Sequence, residues 1–309
     1  MSAACKMCGG ARWARTFAAR ERQFALPGEF TYGECAACGS LQLLDVPASL
    51  GDYYPPGYYS FEVPAGGGPV ARLKRASALA AVTGRGAVGR ALGVLQPPPT
   101  AGMAHWLAAA GATPDTRVLD VGCGSGALLR AMDAVGYRDL TGVDPFLDRD
   151  RTVGRVRLLR GTVEAMDATF DLVMMHHALE HVPEPAETLR ALRARLSAGG
   201  HCLVRVPVAP SEAFRRYGDR WVQLDAPRHL VIPNADALER LAARLGLALV
   251  ERRHDSTAIQ FWGSELYARD VPLSRADVGW VGKQRGRLRA ARANRRGEGD
   301  QAAFLFRAV

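Results

Sequence analysis

The sequence predicts an α/β fold, a mostly parallel sheet with helices on both faces, preceded by a small separate module. Three observations carry this. From Thr116 onward, short Val- and Leu-rich runs alternate with segments of helical periodicity, the pattern of strands buried on both sides and joined by crossover helices. The first of these runs ends in a glycine-rich turn, "RVLDVGCGSGALLRA", that opens a helix. Two C-x-x-C pairs lie apart from all this, within the first 40 residues.

Those pairs are Cys5/Cys8 and Cys35/Cys38. Two knuckles of this spacing bring four thiolates to one tetrahedral zinc ion, and the glycine after each knuckle lets the backbone turn around it. We therefore expect a zinc ribbon over residues 1–45, with Cys5, Cys8, Cys35 and Cys38 as a closed, structural ligand set. Two disulfides are the alternative. No apolar run follows the basic residues of the N-terminus, and no segment approaches the roughly 18 uncharged apolar residues of a membrane span. The expectation is a cytoplasmic protein with no membrane role, in whose reducing surroundings zinc is favoured over disulfides.

Residues 46–100 form the next expected region. Its "GDYYPPGYYSFEVPAGGGP" interleaves tyrosines with proline and glycine, which no regular helix or central strand tolerates. It reads either as a surface linker or as a lid, with Tyr58 among the rings offered to a ligand. Residues 70–95 have helical spacing, and "PPPTAGMAHWLAAAGATP" reads as a helix entered through prolines.

Residues 101–309 carry the α/β pattern. Seven strand runs are expected, "RVLDVGC", "LTGVDP", "VRLLRG", "FDLVMMHH", "HCLVRVPV", "LALVERR" and "QAAFLFRAV", with helices such as "PAETLRALRARLSAGG" and "ADALERLAARLG" between them. The turn Gly122-Cys123-Gly124-Ser125-Gly126 lacks the Lys-Ser/Thr of a phosphate loop, and its G-x-G-x-G spacing alone is a weak signal. Its neighbours sharpen it. Asp120, in the strand ahead of the turn, would repel a pyrophosphate but attract an ammonium group. Asp144 closes the second strand, where a carboxylate accepts ribose hydroxyls.

As a set, these residues resemble the class I S-adenosylmethionine-dependent methyltransferases, over roughly residues 100 to 309. The resemblance implies a Rossmann-like sheet and S-adenosylmethionine as cofactor. It implies a cofactor set of Asp120, Gly122, Cys123 and Gly124 at the turn, Asp144 and Pro145 after strand two, Thr162 and Val163 after strand three, and His176 at the end of strand four, with Tyr58 from the tyrosine segment. The family often has an acid directly after the strand-three glycine, whereas here Thr162 follows Gly161.

The whole chain resembles zinc-ribbon methyltransferases of sugar and natural-product biosynthesis. Sugar C-methyltransferases there carry a His-Glu-His-Leu element, and "APRHL" occupies its place; His229 matches the second histidine, a base, while Pro227 and Arg228 replace the first two residues. The departure argues against C-methylation, and Arg228 suggests an acceptor carboxylate or phosphate. "HHALEHVP" resembles the Leu-Glu-His-Val element of the ubiquinone-type O-methyltransferases, where acids and a histidine near the acceptor can bind a divalent ion. If it begins a helix, His177 and His181 share a face, with Glu180 beside them. The expected catalytic residues are His229, His181 and Glu180. Trp221 and Tyr217, among Arg215, Arg216 and Arg220, line an acceptor pocket or form an ordinary amphipathic helix.

Charge frames the partners. The chain carries 40 Lys+Arg against 31 Asp+Glu, a net +9, and "KQRGRLRAARANRR" at 283–296 holds seven bases and no acid. The expected function is methyl transfer to a small-molecule acceptor, a sugar or other natural-product intermediate. The alternatives are an RNA methyltransferase gripping phosphates with the ribbon and this basic segment, and a non-catalytic sensor of the cofactor.

Overall fold

The computed structural model describes residues 4–55, 101–275 and 278–309. Tyr58 and most of the region expected at 46–100 lie outside the described residues.

The N-terminal module is a hairpin of β1 (Trp13–Arg20) and β2 (Glu29–Cys35), followed by the short β3 (Leu41–Leu43). Both neighbouring pairs are antiparallel. The hairpin turn is organised by one side chain: the buried Glu21 carboxylate accepts the backbone N–H groups of Gln23, Phe24 and Leu26 at 2.8–3.1 Å. Gly33 lets the Trp13 ring lie on β2, where a Cβ would meet that ring at 2.6 Å.

After α1 (Ala101–Ala109), the chain alternates as its pattern predicts. β4 (Arg117–Val121) leads through the glycine turn into α2 (Ala127–Ala134), and β5 (Asp139–Asp144), β6 (Arg151–Val153), β7 (Val156–Arg160) and β8 (Phe170–His176) follow. β4 pairs in parallel with both β5 and β8, and β5 with β7. Val118, Leu119, Leu140, Val156 and Leu158 have no measurable exposure, as expected of strands covered on both faces.

The remaining elements are α3 (Pro185–Ala194), β9 (Leu196–Pro207), α4 (Glu212–Tyr217), β10 (Val231–Ile232), α5 (Ala235–Arg244), β11 (Leu247–His254), α6 (Ile259–Tyr267), α7 (Trp280–Arg295) and β12 (Gln301–Ala308). Asn234 caps α5 by accepting the N–H groups of Asp236 and Ala237, the usual way of satisfying orphan donors at a helix start.

The large sheet has eight strands in the order β11-β12-β9-β8-β4-β5-β7-β6, where seven were expected. The addition is β6, a three-residue strand antiparallel to β7 across a turn at Gly154. Its residues are exposed or half-buried, so it leaves no apolar run to read. A second sheet, β1-β2-β3-β10, takes its fourth strand from far along the chain.

The described residues fall into two compact units that are not contiguous stretches of chain. The first is drawn from Met1–Pro55, His177–Arg190 and Val204–Phe304, the second from Pro56–His176, Ala191–Leu203 and Leu305–Val309. No described helix is long and apolar enough to cross a membrane.

Candidate active site

In the second unit, the glycine turn takes the backbone shape its residues allow. Gly122, Gly124 and Gly126 all have positive φ, at 73°, 52° and 75°, a region that a Cβ disfavours. At Gly126 a Cβ would also lie 2.7 Å from the Leu158 side chain, so α2 could not start where it does. Asp144 pins the turn from the end of β5. Its Oδ2 accepts the N–H of Gly124 and its Oδ1 that of Phe146, both at 2.9 Å. Each oxygen keeps a further lone pair for a ligand hydroxyl.

Asp120 is different. It is 4% exposed, and among the described residues no hydrogen-bond donor reaches it. Burial, with the Asp144 charge as a second cause, pushes its carboxyl up to about 7. A buried carboxylate with no donor calls for a cationic ligand group. The ammonium of S-adenosylmethionine fits that demand and its ribose fits Asp144, so the residues present suit this cofactor.

The other expected cofactor residues lie at strand ends. Cys123 is half-buried inside the turn, its thiol pushed upward chiefly by burial. Pro145 directly follows β5, Thr162 precedes a single helical turn at Val163–Ala165 in which Val163 is buried, and His176 closes β8.

In the first unit, His229, His181 and Glu180 come together. The segment expected to start a helix after β8 is instead a single 3-10 turn, Leu179–His181, with His177 at a φ of 49°. Three residues cannot carry the i, i+4 face expected for His177 and His181, and the ring that meets His181 is His229, edge to face at 4.7 Å between centroids. His177 turns instead to Glu180, with Nδ1 3.3 Å from Oε1.

Both imidazoles have a proton fixed at Nδ1. His229 Nδ1 lies 2.7 Å from the carbonyl oxygen of Gln223, and His181 Nδ1 2.9 Å from that of Arg228. A carbonyl only accepts, so each Nδ1 carries a proton, and in His229, which is neutral at pH 7, Nε2 keeps a lone pair. Burial, followed by the His181 charge, pushes His229 down to about 4, and the ring is neutral at pH 7. Its Nε2 lies 3.9 Å from Glu180 and 3.8 Å from Asp225. Glu180 is fully buried, and no well-aligned donor meets its oxygens among the described residues, the His177 Nδ1 at 3.3 Å from Oε1 being poorly directed. Burial raises its carboxyl, but the surrounding histidines outweigh that and hold it at about 2. One donor atom from each of Glu180, His181 and His229 falls within 4.8 Å of the others, a set that suits a proton in transit or a divalent ion.

Arg228 overturns the expectation that it meets an acceptor anion. Its side chain is completely buried and fully engaged, donating to both oxygens of Asp225 at 3.0 and 2.6 Å, to Glu21 at 2.7 Å and to the carbonyl of Tyr53 at 2.8 Å. Trp221 is buried too, its indole N–H bonded to Asp300, and the Tyr217 hydroxyl donates to Glu265.

The four cysteines of the knuckles converge. Cys5 and Cys38 have their sulfurs 3.7 Å apart, Cys8 and Cys35 3.5 Å, and all four lie within 4.8 Å of one another. Tetrahedral zinc with thiolates at ~2.3 Å separates sulfurs by about 3.8 Å. These distances fit that ion, whereas a disulfide needs ~2.05 Å.

Residues 96–252 match the family described as "Methyltransferase domain". The chain belongs to this family. Among curated relatives of this methyltransferase, a ubiquinone biosynthesis O-methyltransferase of Stutzerimonas stutzeri is 37% identical over 97 residues, 27% of this chain and 41% of the relative. One of Xanthomonas campestris is 36% identical over 110 residues, 31% and 44% of the two chains. The methyltransferase thus spans about two fifths of the length of the curated relatives it matches. Among solved structures, the cyclopropane synthase MmaA2 of Mycobacterium tuberculosis aligns with a TM-score of 0.44 at 17% identity, covering 68% of this chain and 84% of that one. An S-adenosylmethionine-dependent methyltransferase of Mesorhizobium loti aligns with a TM-score of 0.44 at 16% identity, covering 66% and 97%.

Three site residues of this methyltransferase were missed in the sequence. Tyr32 donates its hydroxyl to the carbonyl of His229 at 2.8 Å, Tyr54 places its hydroxyl 3.2 Å from His181 Nδ1, and Asp225 stands beside the His229 ring. For Asp225 a signal existed, an acid four residues before a histidine. For Tyr32 there was none, because its partner is 197 residues away; Tyr54 belongs to the tyrosine stretch read as a linker or lid, but nothing local pointed it at His181.

Proposed function

We propose that this protein transfers the methyl group of S-adenosylmethionine to a small-molecule acceptor, a sugar or other natural-product intermediate, at a hydroxyl or acidic carbon that His229 deprotonates. The sulfonium, when bound, supplies an electrophilic methyl group for in-line displacement. The protein's own residues then have two tasks. Asp120 and Asp144, with the glycine turn, hold and orient the donor. His229 takes the acceptor proton at Nε2, and the carboxylates of Glu180 and Asp225 stabilise the imidazolium that forms. The four knuckle cysteines hold a structural zinc ion.

The observation that carries this reading is the state of His229: a neutral, buried imidazole with its lone pair fixed at Nε2, beside the fully buried carboxylate of Glu180. The relatives' name supports oxygen as the methylated atom, in line with the altered His-Glu-His-Leu element. A nucleic-acid acceptor is less favoured, since Arg289 and Arg296 of the basic segment are already paired with Glu212, Glu265 and Glu298.

Incubation with methyl-labelled S-adenosylmethionine and a cell extract, followed by separation of small molecules, RNA and protein, tests this. Label in the small-molecule pool is expected, and its fragmentation identifies the methylated atom. Label in RNA would overturn the reading; donor binding without transfer to any pool would favour the sensor.

A further inference from the structure

We infer that the four-cysteine ribbon is a positioning element for the histidines, acting through Tyr32, Glu21 and β3. The inference rests on the proposed role of His229 and gives the ribbon a task within the reaction.

Three separate connections run from the ribbon to the segment 223–232, all within one unit. The first is Tyr32 of β2, with no measurable exposure, whose hydroxyl lies 2.8 Å from the carbonyl of His229 and 3.5 Å from that of Leu224. It therefore closes the loop whose two ends are also joined by the His229 Nδ1–Gln223 hydrogen bond. The second is Glu21, around which the hairpin turn is folded; its carboxylate meets Arg228, and Arg228 holds Asp225 with a forked pair of bonds. Asp225 sits at a φ of 37°, in the left-handed region that aspartate adopts more readily than most residues. The third is backbone pairing. β3 pairs with β10, which starts two residues after His229, and Leu43 donates to the carbonyl of Leu230 at 2.9 Å.

The same ribbon strands carry the metal ligands. Cys35 ends β2, three residues after Tyr32, and Ser40, between Cys38 and β3, accepts the Asn234 N–H at the start of α5. The geometry of the four sulfurs and that of the 223–232 segment are thus set by one small sheet. His181 is included, because the carbonyl that holds its Nδ1 proton belongs to Arg228. If the ribbon relaxes, both carbonyls move, and the two imidazole rings lose their fixed orientation.

The test uses the full-length, metal-loaded protein labelled at histidine nitrogens, with resonances assigned through His229→Gln and His181→Gln. The wild type should show His229 as a pure Nδ1–H tautomer and His181 with a proton held at Nδ1. Tyr32→Phe, which removes one oxygen and keeps the ring, should turn His229 into a tautomer mixture. It should lower methyl transfer into the small-molecule pool of the extract about tenfold, while S-adenosylmethionine affinity shifts less than about threefold. Cys35→Ser, with metal content measured, should disturb both histidines in the same way.

Unchanged tautomers in Tyr32→Phe and in metal-depleted Cys35→Ser would overturn the inference, as would a matching collapse of donor affinity in Tyr32→Phe, which marks general unfolding. If His229→Gln keeps full transfer, the base assignment fails; the tautomer spectra still decide the positioning role on their own.

Discussion

Gly124 donates its backbone N–H to Asp144 at 2.9 Å, tying the glycine turn of one strand to the acid that ends the next. The carboxylate shapes the turn, and in the proposed reading its remaining lone pairs receive the donor's ribose. Asp144→Ala should weaken S-adenosylmethionine binding by about 2–3 kcal/mol, the value of a charge-assisted pair of hydrogen bonds. Calorimetric titration checks this; unchanged affinity would remove the ribose from this position.

Asp120 predicts a pH dependence of donor binding. In the free protein its carboxyl is pushed up to about 7, yet only the ionised form attracts an ammonium group. Affinity should therefore be full above pH 7 and fall as pH drops through 7, approaching tenfold per unit. Asp120→Asn should bind weakly at every pH, with the slope abolished. A wild-type affinity that is flat between pH 5 and 8 would contradict the ammonium assignment.

Arg228 is a stability determinant. Its guanidinium, Glu21 and Asp225 form a buried cluster, and truncating one member leaves uncompensated charge at a cost of about 3–5 kcal/mol. Arg228→Ala should show that loss in denaturant unfolding. A surface arginine reading an acceptor phosphate would give almost none.

The glycine turn and its acids could be named from sequence because their pattern is local. Asp120, Gly122, Gly124 and Asp144 lie on two consecutive strands whose register follows from hydrophobic runs, and positive φ has few solutions besides glycine. The four cysteines were legible because metal spacing is short-range. The histidine cluster was only half legible. Glu180, His181 and His229 could be named, but the segment that carries His229 is contacted by Tyr32, Glu21 and β3, which are remote in sequence. Arg228 misled because a lone arginine in a loop looks solvent-facing, and nothing local marks Glu21 as its partner. The single turn at Leu179–His181 escaped because its apolar spacing also suits a longer helix.

Stability against pH should show two opposing slopes. His229 is neutral in the fold down to about 4, below its ordinary 6.5, so between those values the unfolded chain binds more protons and stability falls as pH falls. Asp120 is raised from 3.8 to about 7, so the folded chain binds more protons there and stability falls as pH rises. Each contributes up to ~1.4 kcal/mol per pH unit, and between about 4 and 6.5 they largely offset. Substitution separates them. Relative to the wild type, Asp120→Asn should make stability rise more steeply with pH between about 4 and 6.5, whereas His229→Gln should make it fall more steeply, with the raised carboxyl of Asp300 contributing equally to both profiles. Denaturant midpoints of the two variants across that range check the assignment, and two variants with parallel profiles would show that neither group is perturbed as its burial implies.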